Sequence, residues 1–330
     1  MNQKNLLIGF KASYIGFAIL AALALLLYFV SLLSAVEFCI TSVIILALSL
    51  SGILFTLYTE ISTIIKSDKE DKLISRRNLL IFLFVFGGAI LTYALSIYAG
   101  FGAVIASGLI GVAAAIFIPK YGAPAFCGSF AGMSSALLLS PWAMLFAAVL
   151  AGLLYVLARN TLNGFGGKFG TIAFSACMVV ALLTGSSVPA KSFTGWEFGF
   201  VLIALSVCAA VVTYILSIRF KLGPVLASGL VGVMAGLWLP LIFPGNGSTM
   251  AVMIFCASFA GMSAPKRIKN ELFVAIAGII AGLAFIFSFK LQGAGGKLGT
   301  IAFGSVMAVY GILKIIRKFI DSQKTKPAKV

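Results

Sequence analysis

Long runs of hydrophobic residues recur along the chain from Ile8 to Ile320, separated by short polar or glycine-rich breaks. An α-helix needs about 20 apolar residues to cross the hydrocarbon core of a bilayer, so runs of this length are typical of transmembrane helices. The pattern predicts twelve segments: 11–34, 37–60, 78–99, 102–119, 122–140, 142–159, 169–186, 196–218, 223–241, 249–264, 271–290 and 298–316. The expected fold class is therefore an all-α polytopic membrane protein with about 12 transmembrane segments.

The composition excludes an ordinary soluble domain. Hydrophobic residues make up 62% of the 330 residues and charged residues only 10%, whereas soluble domains have about 45–50% and about 25%. The mean hydropathy is +1.16. The formal net charge of +16 would suggest a nucleic-acid partner in a soluble protein. Because the charges lie between hydrophobic segments, they are better interpreted as topology signals, and no nucleic-acid partner is expected.

Two of the predicted segments, 122–140 and 249–264, are short and rich in Gly and Ser, so they either cross the membrane or re-enter it. The distribution of Lys and Arg favours crossing. With the N-terminus in the cytoplasm and twelve crossings, 21 basic residues lie inside and three outside, compared with 18 and 6 for re-entrant loops. Both arrangements obey the positive-inside rule, but twelve crossings obey it better. We expect cytoplasmic N- and C-termini, in a prokaryotic inner (plasma) membrane.

The chain contains an internal duplication. Residues 91–119 align with residues 212–240, with 15 of 29 positions identical. FCGSFAGMS at 126–134 matches FCASFAGMS at 255–263, and GGKFGTIAF at 166–174 matches GGKLGTIAF at 295–303, each at eight of nine positions. Such identity exceeds what unrelated apolar helices share through composition alone.

The duplication predicts the organisation of the chain. The predicted parts are two N-terminal transmembrane helices (1–65), a charged cytoplasmic loop (66–77), repeat 1 (78–186), a linker (187–195), repeat 2 (196–316) and a basic cytoplasmic tail (317–330). Because each repeat holds five segments, the second copy is inverted relative to the first if all segments cross, with short or broken helices near the midplane. This two-halves-of-five plan resembles urea-transporter-type channels and several inverted-repeat secondary transporters. The likeness is architectural and carries over no functional residues.

The Gly-Gly-Lys blocks are the first candidate solute site. A helix that begins after flexible glycines presents free N–H groups and the positive end of its dipole, and a lysine adds charge, so the pattern favours an anion. The predicted substrate-binding residues here are Gly167, Lys168 and Thr171 with Gly296, Lys297 and Thr300. The alternative is that the lysines snorkel to the headgroups and that the glycines are only loop.

The FC-x-SFAGMS segments are the second candidate. Small residues spaced in this way suit a broken helix whose hydroxyls and carbonyls line a polar path, but they equally suit close helix packing. The predicted substrate-binding serines are Ser129, Ser134, Ser258 and Ser263. The predicted apolar pore-lining residues are Phe126, Phe130, Phe255 and Phe259.

Catalytic and metal chemistry is poorly represented. The chain has no His, and its eight acidic residues fall in loops or near predicted segment ends. We therefore expect no metal site, no cofactor and no enzymatic activity, and we expect the five cysteines to be membrane-buried hydrophobes.

These patterns favour a membrane transporter or channel that moves a small solute, most plausibly a small anion, through a central site between two inverted repeats. The alternative is a passive channel for a small neutral polar solute such as urea. A membrane subunit of a redox or lipid enzyme complex is disfavoured because the sequence offers no His, metal site or buried carboxylate. A Lys or Cys nucleophile stays open, although no neighbouring residue in the sequence indicates how it would be activated. The expected partners are the solute or ion and the lipid bilayer, and the many small residues are compatible with a homo-oligomer.

Overall fold

The computed structural model describes residues 3–65, 73–187, 193 and 195–324, and within them it contains helices and short turns but no β-strand. The helices are α1 (Gln3–Val36), α2 (Ile40–Ile65), α3 (Arg76–Ile97), α4 (Ala103–Phe117), α5 (Gly122–Gly132), α6 (Pro141–Ala158), α7 (Lys168–Leu183), α8 (Trp196–Tyr214), α9 (Pro224–Ile242), α10 (Gly247–Gly261), α11 (Glu271–Phe287) and α12 (Lys297–Lys324). A 3₁₀ turn (Pro119–Tyr121) precedes α5, and a π-helical turn (Ile215–Arg219) continues α8. Parts of the predicted loop 66–77, linker 187–195 and tail 317–330 lie outside the described residues.

Seven helices of the described residues are long and apolar enough to cross a membrane, namely α1, α2, α3, α6, α8, α9 and α12. The chain is therefore an α-helical integral membrane protein. The remaining helices have 11 to 17 residues, and at a rise of 1.5 Å per residue they are shorter than the roughly 30 Å hydrocarbon core. The number of twelve crossings stays a prediction.

Helix α5 is shorter than its predicted segment, 122–140, because it ends at Gly132. The next helix then has its own start signal. The Ser140 hydroxyl accepts a hydrogen bond from the amide of Ala143, and Pro141 occupies the first position of α6. Serine as N-cap followed by proline is a strong helix start, so residues 133–139 form a turn between two helices.

Helices α3 and α5 pack closely because glycines lie at their contact. A Cβ added to Gly88 would overlap the carbonyl oxygen of Ala125, and one added to Gly128 would overlap that of Val85. The Tyr93 hydroxyl of α3 donates to the Leu139 carbonyl oxygen at 2.8 Å.

The second copy has an equivalent helix contact between α8 and α10. A Cβ added to Gly261 would overlap the carbonyl oxygen of Ala210, as one added to its equivalent Gly132 would overlap that of Ala89. The Tyr214 hydroxyl donates to the Ile268 carbonyl oxygen at 3.0 Å, and Tyr214 and Ile268 are the sequence equivalents of Tyr93 and Leu139.

Helices α4 and α9, which are equivalent in the duplication, cross in an antiparallel direction. Gly108 and Gly229 meet at the crossing. On one side of it Gly236 approaches Ile105, and on the other side Gly229 approaches Val112. Residue numbers rise along one helix as they fall along the other, so the two equivalent helices point in opposite directions.

The N-terminal helices α1 and α2 lie outside the duplication. Helix α2 packs mainly on α12, whereas α1 packs on α2, α6 and α12. The Tyr28 hydroxyl of α1 donates to the Ile301 carbonyl oxygen at 2.9 Å, and the Thr56 hydroxyl of α2 donates to that of Met307 at 2.7 Å. Both hydroxyls are buried, so these bonds fix α1 and α2 against the second copy.

Two adjacent glycines of α3 test the packing. We expect Gly88→Ala to destabilise the protein by about 1–3 kcal/mol, the usual effect of overpacking, because the new Cβ meets the α5 backbone. We expect Gly87→Ala to leave stability unchanged or slightly raised, since a Cβ there meets nothing within 4 Å and alanine favours helix more than glycine. Thermal unfolding in detergent measures both variants, and equal effects would contradict this packing.

Candidate functional site

The starts of α7 and α12 cross each other inside the protein. Gly167 precedes α7 with φ +83° and Gly296 precedes α12 with φ +84°, a backbone region that favours glycine. A Cβ on Gly167 would overlap the carbonyl oxygen of Gly299, and one on Gly296 would overlap that of Gly170. Glycine is therefore required at both helix starts by conformation and by space.

The crossing is antiparallel, as it is for α4 and α9. Gly170 and Gly299 approach each other directly, while Gly167 lies beside Phe303 and Gly296 lies beside Phe174. The two N-terminal ends thus overlap over about two turns before the helices diverge in opposite directions.

Each glycine turn also forms a hydrogen bond with a serine that follows the short helix of the other copy. The Gly166 amide donates to the Ser263 hydroxyl at 3.2 Å, and the Gly295 amide donates to the Ser134 hydroxyl at 2.9 Å. The predicted site serines Ser134 and Ser263 are therefore brought to the predicted glycine turns, and they link the two copies by an exchange of equivalent hydrogen bonds.

The two lysines are buried, with 5% of Lys168 and 4% of Lys297 exposed, and this differs from the alternative in which they snorkel to the headgroups. The Lys168 ammonium donates to the Arg159 carbonyl oxygen at 3.3 Å and to the Asn163 side-chain oxygen at 2.8 Å. The Lys297 ammonium donates to the Ser288 carbonyl oxygen at 2.7 Å.

Arg159 and Ser288 are equivalent positions that end helices α6 and α11. Each lysine thus places its charge at the negative end of the preceding helix, where cations are stabilising. None of these bonds connects the two lysines with each other. Whether they form one anion site stays a prediction.

The two predicted site threonines differ. The Thr300 hydroxyl donates to the Gly296 carbonyl oxygen at 3.3 Å. The Thr171 hydroxyl is buried and has no hydrogen-bond partner among the described residues. Buried hydroxyls are normally hydrogen-bonded, so Thr171 keeps an unused donor in the first turn of α7.

The four predicted pore phenylalanines form one cluster, hereafter the phenylalanine quartet, between α5 and α10. Ring centroids are 4.4 Å apart for Phe126 and Phe130, 4.6 Å for Phe255 and Phe259, and 4.6 Å for Phe130 and Phe259 across the two copies. All four rings are buried. The four rings therefore fill the contact between the two copies.

The predicted site serines Ser129 and Ser258 lie on the same helices as the quartet and are internally bonded. Ser129 shares a hydrogen bond of 2.8 Å with Ser107 of α4, and Ser258 shares one of 2.8 Å with Ser228 of α9. The Ser129 and Ser258 hydroxyls thus have hydrogen-bond partners on the neighbouring helix.

Sequence reasoning missed an ion pair that joins α2 to the turn after α10. The Arg267 guanidinium binds both carboxylate oxygens of Glu60, at 2.5 and 2.8 Å, and the Glu60 side chain is only 7% exposed. Arg267 also donates to the Asn163 carbonyl oxygen at 3.0 Å and to the Tyr310 hydroxyl at 3.1 Å, and it lies over the Phe165 ring. The only feature of the sequence that pointed to this ion pair is a glutamate at the end of an apolar run.

No protein-family model, curated protein or solved structure matches this chain. Among the described residues, no group of three His, Cys, Asp or Glu side chains is placed to hold a metal ion. The duplicated helix starts, the phenylalanine quartet and the buried charges form the candidate site of this integral membrane protein.

We expect Gly167→Ala to prevent the helix crossing and to reduce the yield of folded protein, because the methyl group would overlap the α12 backbone. Gly185→Ala is the control, since Gly185 also has positive φ (+66°) but has nothing within 4 Å of an added Cβ. Folded yield is measured by size-exclusion chromatography. A loss of folded protein that is as large for Gly185→Ala would assign the effect to backbone conformation rather than to the crossing.

We expect Glu60→Gln to destabilise the protein by about 3–5 kcal/mol, because it leaves the largely buried Arg267 charge unpaired. Glu271→Gln, which removes the partner of Arg219 in an exposed pair, should have little effect because exposed pairs contribute little. Thermal unfolding in detergent compares the two variants. Similar stabilities for both would show that the Glu60 pair does not anchor α2.

Proposed function

We propose that the protein translocates a small solute across the membrane through the contact region of the two sequence copies, which are arranged as inverted repeats. The observation that carries the proposal is the antiparallel crossing of the duplicated α7 and α12 starts, each with its buried lysine.

The inverted arrangement is supported by the relative directions of equivalent helices in the two copies. The equivalent helices α4 and α9 run antiparallel at Gly108 and Gly229, and α7 and α12 do so at Gly170 and Gly299. Copies whose equivalent helices are antiparallel are related by a pseudo-two-fold axis, and an axis in the membrane plane is the arrangement used by many transporters. The proposal includes twelve crossings and cytoplasmic termini in a prokaryotic inner membrane.

A small anion is the proposed solute. The first turns of two helices pass each other at the crossing, and helix N-termini carry partial positive charge. Lys168 and Lys297 add two buried ammonium groups, and the described bonds of Lys168 are to neutral oxygens, so its positive charge is not cancelled by those partners. The unused Thr171 hydroxyl supplies a further donor.

In this proposal the described conformation is closed. The phenylalanine quartet would have to separate for a solute to pass, and the Ser107–Ser129 and Ser228–Ser258 bonds would exchange for bonds to the solute or water. Because the Ser129 and Ser258 hydroxyls donate to carbonyl oxygens of their own helices, the hydroxyls released by opening are those of Ser107 and Ser228, which would donate to an acceptor on the solute.

The quartet also favours a second candidate, a passive channel for a small neutral polar solute such as urea. Aromatic faces beside serine hydroxyls suit a flat neutral molecule, whereas a dehydrated anion gains little from an aromatic face, which is electron-rich. Under this candidate the lysines cap α6 and α11 and do not contact the solute.

The proposal is tested by flux into proteoliposomes, with chloride, nitrate, formate, urea, Na⁺ and K⁺ as probes. We expect an anion-dependent current that falls about 10–100-fold in Lys168→Met and Lys297→Met, the effect of losing one hydrogen bond to a charged group. Lys168→Arg should retain more current than Lys168→Met because it keeps the charge. Lys120→Met, at an exposed position, should leave the current unchanged.

Only variants that elute as folded protein are compared, since both lysines also support helix ends. Full anion current in the Lys168→Met, Lys297→Met double variant would overturn the anion site. Swelling in urea without current would support the neutral channel. Absence of flux for every probe would overturn translocation of these solutes.

A further inference from the structure

A cavity of about 560 Å³ lies between α2, α8 and α11, where the N-terminal helix pair meets the second copy. Its wall is mainly apolar and is formed by Ile45, Phe200, Ile203, Ile279 and Leu283. The volume lies within the range of about 300–1,000 Å³ that is usual for small-molecule sites. It is separate from the glycine crossing and from the phenylalanine quartet, neither of which lines it.

One end of the cavity is polar. Cys39, Thr41 and Ser42, at the start of α2, line it there together with Trp196 at the start of α8. The last residue of α11, Phe287, packs on Trp196 with a ring distance of 5.8 Å. Three helix ends therefore meet at this end, and the aromatic residues there are typical of a membrane–water interface.

The other end is apolar and open to the bilayer side. Ile45, Ile203 and Leu283 lie one to two turns further along their helices than the polar end. The Phe200 side chain is 65% exposed and that of Ile279 is 39% exposed. In an integral membrane protein such apolar exposure faces lipid, so the cavity is accessible to acyl chains from the side.

The polar end contains hydrogen-bond donors suited to negative charge. The Ser42 side chain, which is only 2% exposed, lines this end of the cavity. The neighbouring Ser42 and Thr41 backbone and hydroxyl groups lower the pKa of the Cys39 thiol. The same donors stabilise any anionic oxygen at the start of α2. Lys290 lies near this end, over the ring of Phe289, which in turn packs on Phe38. The carboxylates nearest in sequence are Glu37, next to Phe38, and Glu197, in the first turn of α8.

We propose that this cavity binds one phospholipid of the surrounding bilayer, with its phosphate at the start of α2 and one acyl chain along the apolar wall. The polar and apolar ends match the two ends of a phospholipid, and the helix start supplies the complementary charge. The site bridges α2 and the second copy, so the lipid stabilises the attachment of the N-terminal helix pair. This site does not depend on the proposed transport function.

The first test is native mass spectrometry of the purified full chain during titration with phosphatidylglycerol. Ile203→Trp fills the cavity and should weaken binding of the tightest lipid about tenfold, because the acyl-chain contact is lost. The matched control is Val201→Trp, on the same helix at a position 42% exposed that does not line the cavity, and it should bind as the wild type does. Equal affinities in the two variants would overturn the proposal.

The second test needs no core substitution. Addition of phosphatidylglycerol should slow the reaction of Cys39 with N-ethylmaleimide several-fold, because the phosphate covers the thiol. The control is the thiol introduced by Lys120→Cys, at an exposed position in the turn before α5 that does not line the cavity, and it should react at an unchanged rate. Slowing of both cysteines to the same degree, or of neither, would overturn the site.

Discussion

The structure depends on the close antiparallel contact between the start of α7 and the start of α12. At Gly167, Gly170, Gly296 and Gly299 the backbone of one helix occupies the space that a side chain on the other helix would need. Because the turns before these helices are also bonded to Ser134 and Ser263 of the other copy, neither copy completes its own centre. The duplication therefore produces one interlocked core rather than two adjacent bundles.

This contact explains why lysine follows the glycines in both copies. A helix start that is buried at a crossing leaves its first side chain in the interior, and a buried cation needs oxygen partners. The carbonyl oxygens of Arg159 and Ser288 supply them at the ends of the preceding helices. A structural role and attraction of an anion are thus compatible, since both use the same positive charge at the same place.

Much of the fold was predictable from local pattern, because apolar runs mark helices and the duplication marks equivalent contacts. The end of α5 at Gly132 was not predicted, because the apolar residues up to Leu139 conceal a turn that depends on the second copy. The pairing of Glu60 with Arg267 spans 207 residues and has no sequence spacing to reveal it. The site residues were found through their repetition, but their partners required the three-dimensional exchange between copies.

The same ion pair makes the two copies physically unequal. The equivalent of Arg267 in the first copy is Leu138, which is buried and carries no charge. Arg267 joins α2, the turn before α7 and α12, so the core is fixed at one of its two equivalent positions and not at the other. In the proposed transporter, opening at the Arg267 end would have to break a buried charge pair, whereas opening at the Leu138 end would separate apolar contacts. Under the proposed function, a symmetric core with an asymmetric attachment would therefore have two access routes of different energy, and the N-terminal helices would determine which one opens more readily.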